Sequence, residues 1–316
     1  EDWAVVEQGP ETLFPESIQV GEDAFSDEAI DSGFGPFSLS KICYQTGGVY
    51  IAVHANRNVR GRVNDRATSP MSSRIRYFFD PESLRDYQPD YLSSAKLKQS
   101  ISSNAAKQSL VMAAAATNLK PMTSPETIFP KKSEGELANL LSLAQRSAAV
   151  LQPRIDLIHG QLLRGLPDRD RIQEERWKAG YDLAMGRILA MKVRTDAYNL
   201  MLARAKAGMQ FKSPRSDTWT LRPSNVVNVG SRTEKLAQQA RIYLQRVIED
   251  HPGTPWEFLA DRELNQPLGY EWKEIHTGIN DPPKPRPPGN NNSPSPRDDK
   301  PRSLGPPMPK RNLKRI

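Results

Sequence analysis

Two apolar series constrain this chain more than any other feature. Leu137, Leu141, Ala144, Ala148, Leu151, Ile155, Ile158 and Leu162 step by alternating fours and threes. Trp177, Tyr181, Ala184, Ile188, Met191, Thr195, Tyr198, Leu202 and Ala205 repeat the pattern. A 4,3 repeat lines up its members on one stripe of an α-helix, so each series is a heptad seam that needs a partner. The connection between them, around Gly165-Leu166-Pro167-Asp168, is short. A short connection favours antiparallel neighbours, and the nearest partner for either seam is the other. Pairing of each seam with its copy in a second chain is the alternative. The pattern predicts a hairpin of Leu137–Leu163 with Ile172–Ala207, about 40 Å and about 54 Å long at 1.5 Å per residue. Pro153 opposes it: inside a helix proline removes one hydrogen bond and costs about 3 kcal/mol, so a kink or a break is expected there.

Other helices announce themselves by their ends. Ser133-Glu134-Gly135-Glu136 and Ser231-Arg232-Thr233-Glu234 match capping boxes. Thr254-Pro255-Trp256-Glu257 combines an N-cap, a proline at the first helical position and an N3 glutamate. A helix from Ser231 to His251, with Leu236, Ala240, Tyr243, Leu244 and Val247 inward, and a short helix Trp256–Leu264 are predicted. Asp80-Pro81 reads as another helix start, and Ser94–Thr117 is Ala-rich and helical. Lys120–Lys132 and Lys212–Gly230 read as linkers. Trp3–Val6 and Val49–Val53 are strand candidates, and Gly47-Gly48 between Leu39–Cys43 and the second of them reads as a helix C-cap.

Charge is unevenly placed. The formal charge is +7, but residues 281–316 hold nine Lys or Arg against three acids, so the body is nearly neutral. The first 31 residues carry ten carboxylates and no base before Lys41. Beyond His276 lie eleven of the 27 prolines, with Asn290-Asn291-Asn292. That composition cannot bury a core and predicts a disordered tail. Cys43, the single cysteine, excludes an internal disulfide and a thiolate metal cluster. No apolar run reaches the length of a bilayer span, and no signal peptide is visible.

The corner "GFGPFSLSKICYQTGGVYIAVHANR", Gly33–Arg57, resembles the end of a von Willebrand factor A (VWA) domain, where a last helix, a Thr-Gly-Gly turn and a strand close a doubly wound sheet. "RIYLQRVIEDHPGTPWEFLADREL", Arg241–Leu264, resembles the tetratricopeptide-like end of the helical extension that follows such domains in a group of bacterial proteins. The resemblance implies that the chain is the closing piece of an A domain plus its extension, in the bacterial cytoplasm or cell envelope. The family's metal site begins with an Asp-x-Ser-x-Ser loop; this sequence has none, so any such site would lie upstream. The expected fold is mainly α. A small VWA-like α/β piece occupies residues 1–79 and a helical domain with the long hairpin 80–211. A linker and helical pair follow at 212–275, then the Pro-rich basic tail at 276–316.

Candidate chemistry is sparse. His54, His159, His251 and His276 are scattered without metal-ligand spacing. His251 reads as a cation at a helix C-terminus. Ser38, Ser40 and Cys43 have no base in register, and Cys43 reads as a small buried apolar residue. Glu249-Asp250-His251 point in different directions on a helix. Gly33-Phe34-Gly35 lacks the Lys-Ser/Thr of a phosphate loop. No catalytic, cofactor-binding or metal-ligating residue is therefore assigned. Trp256, Phe258, Tyr270 and Trp272 are the candidate partner-binding residues, as an aromatic patch or as the cover of the helical pair. The expected function is non-catalytic: a structural scaffold that binds a protein partner. The alternative is binding of an anionic surface or nucleic acid through the basic tail.

Overall fold

The computed structural model describes residues 12–18, 29–30, 37–48, 61–62, 75–79, 82–116 and 125–281. The strand candidates Trp3–Val6 and Val49–Val53, the Asp80-Pro81 cap and the Pro-rich tail beyond Asp281 lie outside them. The chain divides into two units, Glu1–Ile279 and Asn280–Ile316; the elements below belong to the first. The fold is mainly helical with small sheets.

At the N-terminal end, β1 (Ala29–Ile30), β2 (Gly61–Arg62) and β3 (Ile75–Phe78) form a sheet of order β1-β3-β2. β1 runs parallel to β3 and β2 antiparallel to it. Helix α1 (Phe37–Thr46) ends where predicted. Gly47 follows with φ +72°, the left-handed conformation that glycine adopts without a Cβ clash. Leu39 and Ile42, on one face of α1, are 53% and 57% exposed. Cys43 is only half-buried.

The Ala-rich stretch is two helices, α2 (Ser94–Ser102) and α3 (Ala105–Ala116). Asn104 divides them, because its Oδ1 accepts from the N–H groups of Ala106 (2.9 Å) and Lys107 (3.1 Å) and starts a new helix. The long hairpin follows. Helix α4 (Glu134–Gly165) is capped by Ser133, whose Oγ accepts from Glu136 N–H at 3.2 Å. A 3₁₀ segment, Leu166–Arg171, leads into α5 (Glu175–Lys206). Each long helix has 32 residues. Pro153 sits inside α4 without dividing it.

Three cross-links fix the antiparallel sense. Tyr181 Oη donates to Leu162 O at 2.6 Å, Gln152 Nε2 to Asp196 at 2.9 Å, and Gln145 Nε2 to Asn199 O at 3.1 Å. Both seams are buried along their length except at the half-buried Leu151 and Met191.

The hairpin is not a free-standing pair. Helix α5 buries 22 of its 32 residues and is the central helix of the helical body. Its second side takes α6 (Ser231–Asp250) and α7 (Pro255–Leu264). Gly186 permits this: a Cβ there would meet Leu244 Cγ at 2.7 Å and Leu244 N at 3.3 Å. Thr254 caps α7 as predicted, accepting from Glu257 N–H at 3.2 Å, and the Glu257 carboxylate accepts from Gly253 N–H. The Ser231 capping box does not form. Gly230 stands at the N-cap instead, with no side-chain cap.

The expected linkers contain strands. β4 (Ile128–Pro130), β5 (Thr218–Ser224) and β6 (Gly269–Ile275) form an antiparallel sheet of order β4-β5-β6. The boundary expected at 211/212 is thus bridged by hydrogen-bonded strands. Phe129, Trp219 and Leu221 from this sheet pack with Leu137, Leu141, Tyr198 and Leu202 in one cluster. The end of β6 is clipped by Asp217. Its carboxylate accepts from Thr277 N–H and Oγ1 (both 2.8 Å), Ile279 N–H (2.9 Å) and Thr218 Oγ1 (3.0 Å). Burial alone would raise this carboxyl's pKa; the donors outweigh it and hold it well below the usual range.

Candidate partner-binding surfaces

The four candidate aromatics divide between two clusters. Tyr270 and Trp272 project from β6 into the sheet cluster. Tyr270 meets Tyr198 edge-on at 5.7 Å, and Trp272 meets Phe129 at 5.5 Å and Trp219 at 6.2 Å. Trp256 opens α7, stacks on Tyr87 at 5.3 Å and lies under the Arg176 guanidinium, 5.3 Å from its centroid. Phe258 packs edge-on against Phe79 at 6.3 Å. All four are half-buried. The structure therefore brings Trp256, but not the others, to an open groove.

That groove runs along α5 beside α7. Arg176, Gly180, Leu183, Ala184 and Arg187 form its floor, and Trp256 and Leu259 one wall. Residues 12–18 lie in it. Arg176 Nε donates to Glu16 Oε2 at 2.8 Å, and Arg176 Nη1 to Tyr87 O at 3.2 Å. Clefts of about 210 Å³ and about 420 Å³ remain under and beside the segment.

The groove's far end rests on a buried ion cluster. Glu263, 3% exposed, pairs with Arg194 and approaches Arg187 Nε at 3.6 Å. Arg194 also donates to Pro267 O, Glu263 O and Gln266 O at 3.1–3.2 Å. Burial pulls the Arg187 pKa down, and Glu263 pulls the other way. A second cluster joins Asp182, wholly buried, to Arg169, with Arg246 at 3.6 Å. His251 is 1% exposed and shares a 2.9 Å hydrogen bond with Tyr87 Oη. Burial lowers its pKa. It is a neutral buried group, not the helix-capping cation expected from its position.

A wider cleft of about 950 Å³ lies between α4, α5 and the start of α6, lined by Asp156, His159, Lys192, Asp196 and Arg232. Lys192 is buried and pairs with Asp156, with Asp196 at 3.7 Å. Burial and the Lys192 charge depress His159, while burial raises Asp196. These groups neutralise one another across the hairpin. Among the described residues, no three His, Cys, Asp or Glu side chains are grouped to hold a metal ion.

The outer face of α4 carries a feature the sequence reading passed over. Leu143, Val150 and Leu157 are 57%, 74% and 58% exposed. They recur every seven residues, which sets them on one line over about 21 Å of helix. The sequence signal was present but overshadowed by the stronger inward seam on the same helix.

No family model matches the chain, and neither a curated protein nor a solved structure matches it. No helix among the described residues is long and apolar enough to cross a membrane.

Proposed function

We propose that the chain is a non-catalytic interaction scaffold. In this reading its N-terminal part completes a VWA-type α/β domain, and the helical body presents a surface to a protein partner. The observation that carries it is the Leu143–Val150–Leu157 line on α4. Single exposed apolar side chains are ordinary on a protein surface. Three in heptad register form a ridge that fits between the side chains of another helix. The partner is accordingly an amphipathic α-helix with its own apolar stripe. Photo-crosslinking tests this, with a benzophenone side chain at position 150 and a control at Ile242, which is 58% exposed on α6. A defined protein adduct is expected at 150 but not at 242, and Leu143→Glu with Leu157→Glu should abolish it. Equal labelling at both positions, or an adduct indifferent to the two glutamates, would refute the reading.

A further inference from the structure

Strand β6 is an edge that carries a regular row of outward backbone groups. The order β4-β5-β6 leaves its outer side without a neighbouring strand among the described residues. The pairing of β5 with β4 fixes which groups point there. Leu221 N–H donates to Thr127 O at 2.7 Å, while Ile128 stands opposite Thr220. In an antiparallel ladder the N–H and C=O of one residue point to the same side, and successive residues alternate. Trp219 and Leu221 therefore bond toward β4, and Thr218, Thr220, Arg222 and Ser224 toward β6. Opposite these four stand Ile275, Lys273, Glu271 and Gly269. The N–H and C=O groups of Tyr270, Trp272 and Glu274 are left pointing outward.

Edge strands are commonly blunted against association by a bulge, a proline or a lone lysine. β6 contains no proline, and it pairs with β5 at seven successive positions without a bulge. Its lysine is not alone. Lys273 Nζ stands 3.1 Å from Glu271 Oε1, and both side chains are about half exposed. Two residues apart, they share the face of the strand opposite Tyr270 and Trp272. An acid and a base in this spacing are complementary to the same pair read in the reverse direction.

We propose that β6 is a self-association edge, on which a second copy of the chain lays its own β6 antiparallel about a two-fold axis at Trp272. In this register Trp272 meets Trp272 of the second copy, and Tyr270 and Glu274 meet each other in both senses. Each of these pairs exchanges two backbone hydrogen bonds, so every outward group is used. Glu271 then stands directly opposite Lys273 of the second copy, and Lys273 opposite its Glu271; opposite charges so placed stabilise a pair of strands. Moving the axis by one residue sets Glu271 against Glu271 or Lys273 against Lys273, which is destabilising. The two-fold contact is isologous and closes at the dimer. A single seven-residue edge is a small interface, so the association is weak and each copy stays folded when alone. This goes beyond the α4 surface and does not depend on it.

Sedimentation velocity of the full chain tests this, from about 1 µM to about 300 µM, the range of a weak dissociation constant. The wild-type chain should pass from monomer toward dimer. Lys273→Glu alone, or Glu271→Lys alone, sets like charges opposite each other twice and should weaken self-association at least about tenfold. The two variants mixed should recover it as a heterodimer, and one chain carrying both substitutions should recover it with its own copy. A wild-type chain that stays monomeric throughout overturns the proposal. So does a dimer unmoved by either single variant, or a mixture that associates no better than its components. If the variants fail to fold, solvent exchange of the wild-type amides decides. The Tyr270, Trp272 and Glu274 amides should slow as the concentration rises, while those of Glu271 and Lys273, already bonded to β5, should not. Edge amides that exchange at one rate across the whole range overturn the proposal.

Discussion

Glu263→Ala should be among the most damaging single substitutions in the helical body. The carboxylate is 3% exposed and stands between Arg194 and Arg187. At the 3.6 Å separation from Arg187, and with an effective dielectric of about 20, the Coulomb attraction is about 5 kcal/mol. Relaxation and water entry return part of it. Removing one member of a buried ion pair generally costs about 3–5 kcal/mol, because the other charge is left uncompensated. Arg194 keeps its contacts to the carbonyls of Pro267 and Gln266, and Arg187 its contact to the Ile18 carbonyl, so the loss is that of the carboxylate's attraction for the two guanidinium groups. Urea unfolding followed by far-UV circular dichroism measures it. With a slope of about 2–3 kcal/mol per molar, the midpoint should fall by about 1–2 M. The decisive comparison is Glu263→Ala with Arg187→Met. Removing the Arg187 charge as well should recover about 1–3 kcal/mol of the loss, since an apolar replacement of a buried pair is often neutral. If the double variant is no more stable than Glu263→Ala alone, the cost lies in packing, and the electrostatic account of this cluster is wrong.

Ile188 is fully buried on the α5 seam; Ile188→Asp should cost several kcal/mol, about 3 or more, as unfolding of a monomer. Melting that depends on protein concentration would move the seam to an interface between chains. Gly186→Ala should cost about 1–3 kcal/mol by pushing α6 off α5 at Leu244, and a melting temperature equal to wild type would contradict the close approach. Burial holds the His251 pKa below its ordinary value of 6.5, so the unfolded state binds more protons as pH falls below about 6.5. Stability should therefore be full above that pH and decline toward acid, and His251→Gln should shallow the decline in urea titrations between pH 5 and 8. An unchanged slope would show that His251 is not the group being charged.

The hairpin was legible because its signal is periodic and long. Eight apolar residues on α4 and nine positions on α5 repeat one stripe, and tertiary packing of such a stripe outweighs the single hydrogen bond that Pro153 removes. The α7 cap was legible because Thr254, Pro255 and Glu257 act within one turn. The sheet was missed for a different reason. β6 does alternate, with Tyr270 and Trp272 against Glu271 and Lys273. Seven residues of alternation mean little without partners, and β4 lies about ninety positions upstream of β5. Pairing across that distance leaves no local trace, so the aromatics read as candidates for a partner surface.

Helix α5 shows where the reading of one stripe stops short. Leu183, Gly186, Ala190, Val193 and Ala197 also step by threes and fours, on the side away from the first seam. A second seam of small residues means a second packed neighbour, here α6, approaching closely. Once both sides are covered, the charged residues between the seams cannot remain in water. Arg176, Asp182, Arg187 and Lys192 are each less than a tenth exposed, and each is paired with an opposite charge. Read singly, these charges look like an ordinary solvated face. Read with two seams, they require partners from elsewhere in the chain, which Glu16, Arg169, Glu263 and Asp156 provide. Glu16 is the informative one, because it comes from a segment with no regular structure of its own. Its pairing with Arg176 ties residues 12–18 to the groove, and it follows from α5 being buried on both sides rather than half of an isolated hairpin.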